Sequence, residues 1–257
     1  MMTKSVADEE ATAGLVNMIV VLADNKYALG RRLAEWAVGP PTLEASVAGA
    51  AIGQQLLGQA RVLYPVLEQL DASGRILGAP DQDSGRTRRY AMTAVDEPWE
   101  TWPHAVCSLF LVNNACNVVL EAMRESRRAD LSKRVGRMLE DDRLQAQYGA
   151  GRVRELVARY SAGRVLLQQR IDETFGEVLM WFGPPGERGV TVLNAAELVT
   201  GDNEDWRQRW LDRVGPVLTE VGVTVPAHQD ESGRWEWEEM PWDRWNPLRR
   251  RLETTSA

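Results

Sequence analysis

Between residues 11 and 36, Leu15, Met18, Leu22, Leu29, Leu33 and Trp36 recur at three- and four-residue steps with few interruptions. That period lays apolar side chains along one face of an α-helix and does not suit a strand. "VGPP" at 38–41 stops the pattern, because proline lacks the donor that continues a helix, while Pro41 can stand in the first turn of the next one. A second helix is expected over 42–70, bent at its interior Pro65. Further helices are expected over 102–126, 131–160 and 163–182, after which "GPPGERGV" breaks the period and 202–222 restores it. Asp202 is placed to cap that last helix, with Glu204 and Asp205 in its first turn, where negative charge suits the helix dipole. The fold class is all-α: long helices in a bundle.

Residues 72–98 are rich in Gly, Asp and Ser without a sustained period and read as a long surface connection. Arg86, Arg88 and Arg89 form a small basic cluster within it, read as a solvated loop ahead of an anion site. The tail from residue 223 alternates and turns, and holds Trp235, Trp237, Trp242 and Trp245, four of the chain's ten tryptophans. Such indoles are expected to cover apolar surface while their N–H groups find partners. A platform for a binding partner is the sharper alternative. The expected organisation is therefore a helical bundle over 1–222 and a tail over 223–257, packed on the bundle or on a partner.

Composition narrows the task. With 257 residues, the chain can bury a substantial core. A net charge of −7 argues against general binding to nucleic acid or to an acidic membrane surface. No uninterrupted apolar run approaches the length of a membrane span, and the acidic N-terminal stretch "MMTKSVADEEATAG" lacks the pattern of a signal peptide. A cytoplasmic location is the expectation. Cys107 and Cys116 lie nine residues apart on one helix, turned about 180° from each other, and read as small buried hydrophobes. Neither His104 nor His228 stands in a metal-binding spacing, and no hydrolase, P-loop or dinucleotide motif is present. Motifs alone leave a helical protein without an assigned task.

The stretch 22–70, with its "RLAEW", "P-x-L-E" and "LLGQAR" pieces, resembles the N-terminal helix pair of the phenylacetic acid catabolic family. These ferritin-like proteins form the oxygenase of the multicomponent phenylacetyl-CoA ring epoxidase. The early pieces resemble the family's metal-free structural subunit. "FGEVLMWFGPPGE", "RWLDRVGPVLTEVGVTVP" and "DESGRWEWEEMPWDRWN" resemble its catalytic, iron-bearing subunit. The resemblance implies a ferritin-like four-helix bundle with extra helices and an irregular tail.

Di-iron bundles of this kind use a carboxylate from each of two helices and an E-x-x-H pair from each of the other two. The resemblance carries those six positions onto Glu35, Leu56, Gln59, Asn113, Asp142 and Gln145. Two keep a carboxylate and none keeps a histidine. Paired iron needs bridging anions and nitrogen donors, which neutral amides do not supply. The expectation is that the iron centre has been lost, leaving no cofactor, no catalytic residue and no metal site. Gln59, Asn113 and Gln145 should instead form a closed polar network beside Glu35 and Asp142.

The resemblance implies a subunit that is not catalytic alone and supports oxidation of an acyl-CoA by an iron-bearing homologous partner; self-association as a dimer is the other assembly. A second reading makes the former pocket a ligand cavity, or an all-oxygen site for Mg²⁺ or Ca²⁺. A working oxygenase would need histidines that the ligand positions lack. The basic runs 124–134 and 246–253 could meet coenzyme A phosphates or an acidic partner, but read first as solvated helix surface.

Overall fold

The apolar stripes become helices close to their expected bounds in the computed structural model, which describes residues 6–70 and 90–253. The long elements are α1 (Val6–Glu35), α2 (Leu43–Leu70), α4 (Trp102–Ala122), α5 (Ala129–Arg159), α6 (Gly163–Trp181) and α8 (Asn203–Glu220). Two short helices, α3 (Thr93–Asp96) and α7 (Arg188–Ala195), have no counterpart among the expected elements. Each spans too few turns to declare a period. Helix α2 runs continuously through Pro65, as α8 does through Pro216. The arginine cluster at 86–89 lies outside the described residues.

Four helices close the bundle. Helix α1 lies against α2 and α4, while α5 completes the ring by touching α4 and α2. Outside it, α6 and α8 both flank α4 and α5, and α7 covers α1. By length and composition α4 could cross a membrane, yet 94% of its most apolar window is buried among these neighbours. An all-round apolar helix at the centre of a bundle needs no lipid to explain it.

Helices α1 and α2 approach closely at two glycines. A Cβ added at Gly30 would stand 2.8 Å from the Gly53 carbonyl oxygen, and one at Gly53 would stand 3.0 Å from that of Gly30. Larger residues there would push the two axes apart.

The end of the connection before α4 departs from a surface loop. Ala91, Met92 and Val95 are buried. The chain enters because α1 supplies partners: Asp24 Oδ2 accepts from the Tyr90 amide at 2.7 Å and Asn25 Oδ1 from the Met92 amide at 2.9 Å. Satisfied backbone donors make an irregular segment tolerable inside a core.

The tail lies across α6 and α8 and forms two small antiparallel pairs. Strands β1 (Ala227–Gln229) and β2 (Trp235–Trp237) pair with His228 opposite Glu236, and β3 (Trp245–Asn246) pairs with β4 (Arg251–Leu252). Trp235 presses on Gly215, where an added Cβ would collide with its ring, and its indole N–H donates to Asp212 Oδ1 at 2.9 Å. Arg207 of α8, fully buried, lies between the rings of Trp237 and Trp242, with its guanidinium carbon 5.5 and 5.4 Å from their centroids. Burial pushes the Arg207 pKa below its usual value, against the opposing hydrogen bond to Glu204. Arg250 stacks on Trp245 at 5.2 Å, pairs with Glu187 at 2.9 Å and donates to the carbonyls of Trp181 and Phe182 at the end of α6. The reading of 246–253 as solvated basic surface is thereby corrected: Arg250 is 1% exposed. Stacked guanidinium groups fix the tail through charge, hydrogen bonds and ring faces together.

Helix α8 begins with a reciprocal cap. Asp202 accepts from the Asp205 amide at 2.9 Å, and Asp205 accepts from the Asp202 amide at 3.1 Å. Replacing Asp202 by Ala should lower stability by about 1 kcal/mol, read as a shifted urea midpoint. Cys107 and Cys116 are unpaired and buried, and burial pushes each thiol up to about 12. Ellman's reagent at neutral pH should therefore find no thiol in the native protein and both after unfolding in guanidinium.

Candidate functional site: a polar cage around a buried ammonium

One face of α1 carries Leu15, Met18, Leu22, Leu29 and Leu33, and the position between Leu22 and Leu29 belongs to Lys26. At steps of four and three, its side chain must point into the bundle with theirs. Lys26 is fully buried, and its Nζ sits among three side chains. It donates to Asn113 Oδ1 at 2.9 Å and Asn117 Oδ1 at 2.8 Å on α4, and to both oxygens of Asp142 on α5 at 3.1 Å. An ammonium has three hydrogens, and the two amides and the carboxylate take them all.

The remaining bonds run inward from Gln59 and outward from Asn113. Gln59 Nε2 of α2 donates to Asp142 Oδ1 at 2.8 Å and to the Met138 carbonyl at 3.3 Å. Asn113, having given its oxygen to Lys26, donates through Nδ2 to Gln145 Oε1 at 3.2 Å. Gln145 in turn donates to Gln55 Oε1 at 3.2 Å, on the exposed side of α2. The ammonium thus fixes which end of Asn113 and Asn117 faces inward, and the Asp142 carboxylate does the same for Gln59. Among the described residues, Gln59 Oε1 is the cage atom left buried without a partner.

Each of the four bundle helices contributes to this cage. The structure brings together Gln59, Asn113, Asp142 and Gln145 from the six positions the resemblance marked. Leu56 lies beside them, fully buried in the apolar core.

Glu35 does not join, and its expected place beside Asp142 is corrected. It ends α1 nine residues beyond Lys26, about 180° around the helix and on the order of 13 Å along it. There it is half-exposed and pairs with Arg31 at 3.2 Å and Arg32 at 2.5 Å. Arg32 is buried and donates to the carbonyls of Val95 and Asp96 at the end of α3. Glu35 therefore orients an arginine that holds α3.

The sequence reading missed Lys26 and Asn117. A signal for the lysine existed, because a charged residue interrupts the apolar stripe at an inward step. Asn117 had a similar one, four residues after Asn113.

The histidines stand apart from the cage. His104 accompanies the start of α4, where its amide bonds the capping Thr101, and burial lowers its pKa. His228 lies 3.3 Å from Glu236 on the exposed hairpin.

The cage does not fit paired iron. Its charges are one carboxylate and one tethered cation, and imidazole is absent from it. Among the described residues, no group of three or more His, Cys, Asp or Glu side chains is placed to hold a metal ion. The ammonium itself stands where the acceptor oxygens converge.

A ferritin-like bundle with a polar cage contributed by all four helices defines the class. The chain belongs to the phenylacetic acid catabolic protein family, whose profile matches residues 1–254. Two components of the 1,2-phenylacetyl-CoA epoxidase of Escherichia coli (strain K12) are similar to it. One is 24% identical over 222 residues, covering 83% of this chain and 70% of that protein. The other is 22% identical over 213 residues, covering 81% of this chain and 82% of its own length.

Truncating Lys26 would leave Asp142 charged and buried without its cation. The Lys26→Met variant should lose about 3–5 kcal/mol in urea unfolding. Adding Asp142→Asn to it should recover part of the loss, because a neutral amide is cheaper to bury than an unpaired carboxylate.

Proposed function

We propose that the chain is a non-catalytic, metal-free subunit of a phenylacetyl-CoA epoxidase-type monooxygenase. It would pair with an iron-bearing homologue and support that partner's oxidation of an acyl-CoA. The observation that carries this reading is Lys26: its ammonium lies 2.8–3.1 Å from four oxygens of Asn113, Asn117 and Asp142. An internal cation balances the one carboxylate of the cage and bonds two of its amides, so the bundle holds together without iron. Family membership and the likeness to two components of one epoxidase support an assembly made of related chains. On this reading, Gln59, Asn113, Asp142 and Gln145, with Leu56 beside them, are vestiges of a di-iron site, with Lys26 replacing the charge of the metals.

The alternative of a hard-cation site in the cage is weaker. Mg²⁺ and Ca²⁺ prefer several anionic oxygens, whereas here the single carboxylate already faces a lysine at 3.1 Å. Assembly is also the better account of the family relationship, since a cage whose one carboxylate is already paired with Lys26 offers no reacting group to a substrate.

Co-expression with an iron-bearing homologue, followed by size-exclusion chromatography and iron analysis, tests the proposal. Co-elution is expected, with iron tracking the partner and absent from this chain purified alone. Separate elution under all conditions, or stoichiometric iron in this chain, would overturn it.

A further inference from the structure

Beside the cage, on its outer side, α4, α5 and α8 enclose a cleft of about 440 Å³. Its shape follows from residue size. On α5, Ala146 and Ala150 face Phe110 and Asn114 of α4, and two alanines leave a gap that larger side chains would have closed. Phe110 and Leu139 make the walls apolar. The floor is the outer edge of the cage, Asn117 and Asp142, whose charge Lys26 already balances.

The rim is basic. Arg124, Arg143 and Arg213 border the cleft, against one rim carboxylate, Glu121, which pairs with Arg213. Two arginine charges are therefore in excess at the mouth of a cleft, on a chain whose net charge is −7. A positive mouth over apolar walls on an acidic protein is unlike its average surface, and low-dielectric walls focus such a field.

We infer that this cleft binds an amphipathic organic anion, with a carboxylate or phosphate head on the rim arginines and an apolar body against Phe110, Leu139, Ala146 and Ala150. The Asn117 amide at the floor offers a hydrogen bond to a polar group midway along such a molecule. Guanidinium groups suit planar carboxylate and phosphate oxygens. The inference stands apart from the proposed assembly role, because it concerns the outer face of the α4–α5 pair and needs no other chain.

Calorimetric titration of the full chain with decanoate, decyl phosphate and decyltrimethylammonium tests it. Saturable binding of at least one of the two anions is expected, and none of the cation; comparison of the two anions identifies the head group preferred. Arg124→Glu and Arg143→Glu should each weaken binding by about tenfold or more, and rising salt should weaken it further. Ala146→Phe, which fills the cleft from a partly exposed position, should abolish it, with circular dichroism confirming an unchanged helical content. Absence of saturable anion binding, equal binding of the cationic detergent, or affinity undiminished in folded Ala146→Phe would overturn the inference.

Discussion

The structure turns on a lysine ammonium held at the centre of a four-helix bundle. Burying a charge is costly unless it is paired and hydrogen-bonded, and three side chains answer that requirement directly. Asp142 supplies the counter-charge, Asn113 and Asn117 supply the other two acceptors, and Gln59 takes up a further carboxylate lone pair. Asn113 and Gln145 suit the task through their two faces: each accepts on one side and donates on the other, so the pattern passes outward through Gln145 to Gln55. A half-built version of such a network would be worse than an apolar core. The same requirement ties four helices to one point, which gives the cage a structural role in setting their register.

Around this centre, the molecule repeatedly uses buried arginines and irregular backbone to satisfy one another. Arg32 binds the carbonyls that end α3, oriented by Glu35. Arg207 and Arg250 bind the carbonyls following α6 and lie against the tail's tryptophans. In each case a planar cation closes a stretch of chain that has no helix to absorb its polar groups. Trp36 does likewise for the Trp99 carbonyl, while Trp210 and the tail's Trp245 donate to carbonyls within helices, at Leu111 of α4 and Met180 of α6. The tail is thus fastened to the bundle by its aromatic residues.

Much of the fold was legible because amphipathic period and helix breakers are local. Pro40 and Pro41, Asp202 and the stripe from Leu15 onward each act on residues within a few turns. Elements of one or two turns, α3 and α7, were invisible for the same reason. The site was only partly legible. Gln59, Asn113, Asp142 and Gln145 were marked by the resemblance, and the structure gathers them. Glu35 was assigned by likeness of its surrounding letters, although a step of nine residues from the inward-facing Lys26 turns it to the opposite side of α1. Lys26 interrupts the stripe at an inward step, but its partners lie on other helices and no local pattern marks them.

By itself, the sequence determined that the chain would form long helices, where they would start and stop, and that imidazole would be missing from their shared interior. Those are properties of residue type and spacing along one strand of backbone. Which residue would stand at the centre, and what would compensate its charge, was decided only when four helices met. The partners of Lys26 lie 87 to 116 positions away along the chain. Likewise, the burial of Arg250 within a run of three arginines depends on carbonyls at Trp181 and Phe182 that no local pattern announces. Compensation of a buried charge is a property of the assembled core, because its energy depends on everything that surrounds the group at once.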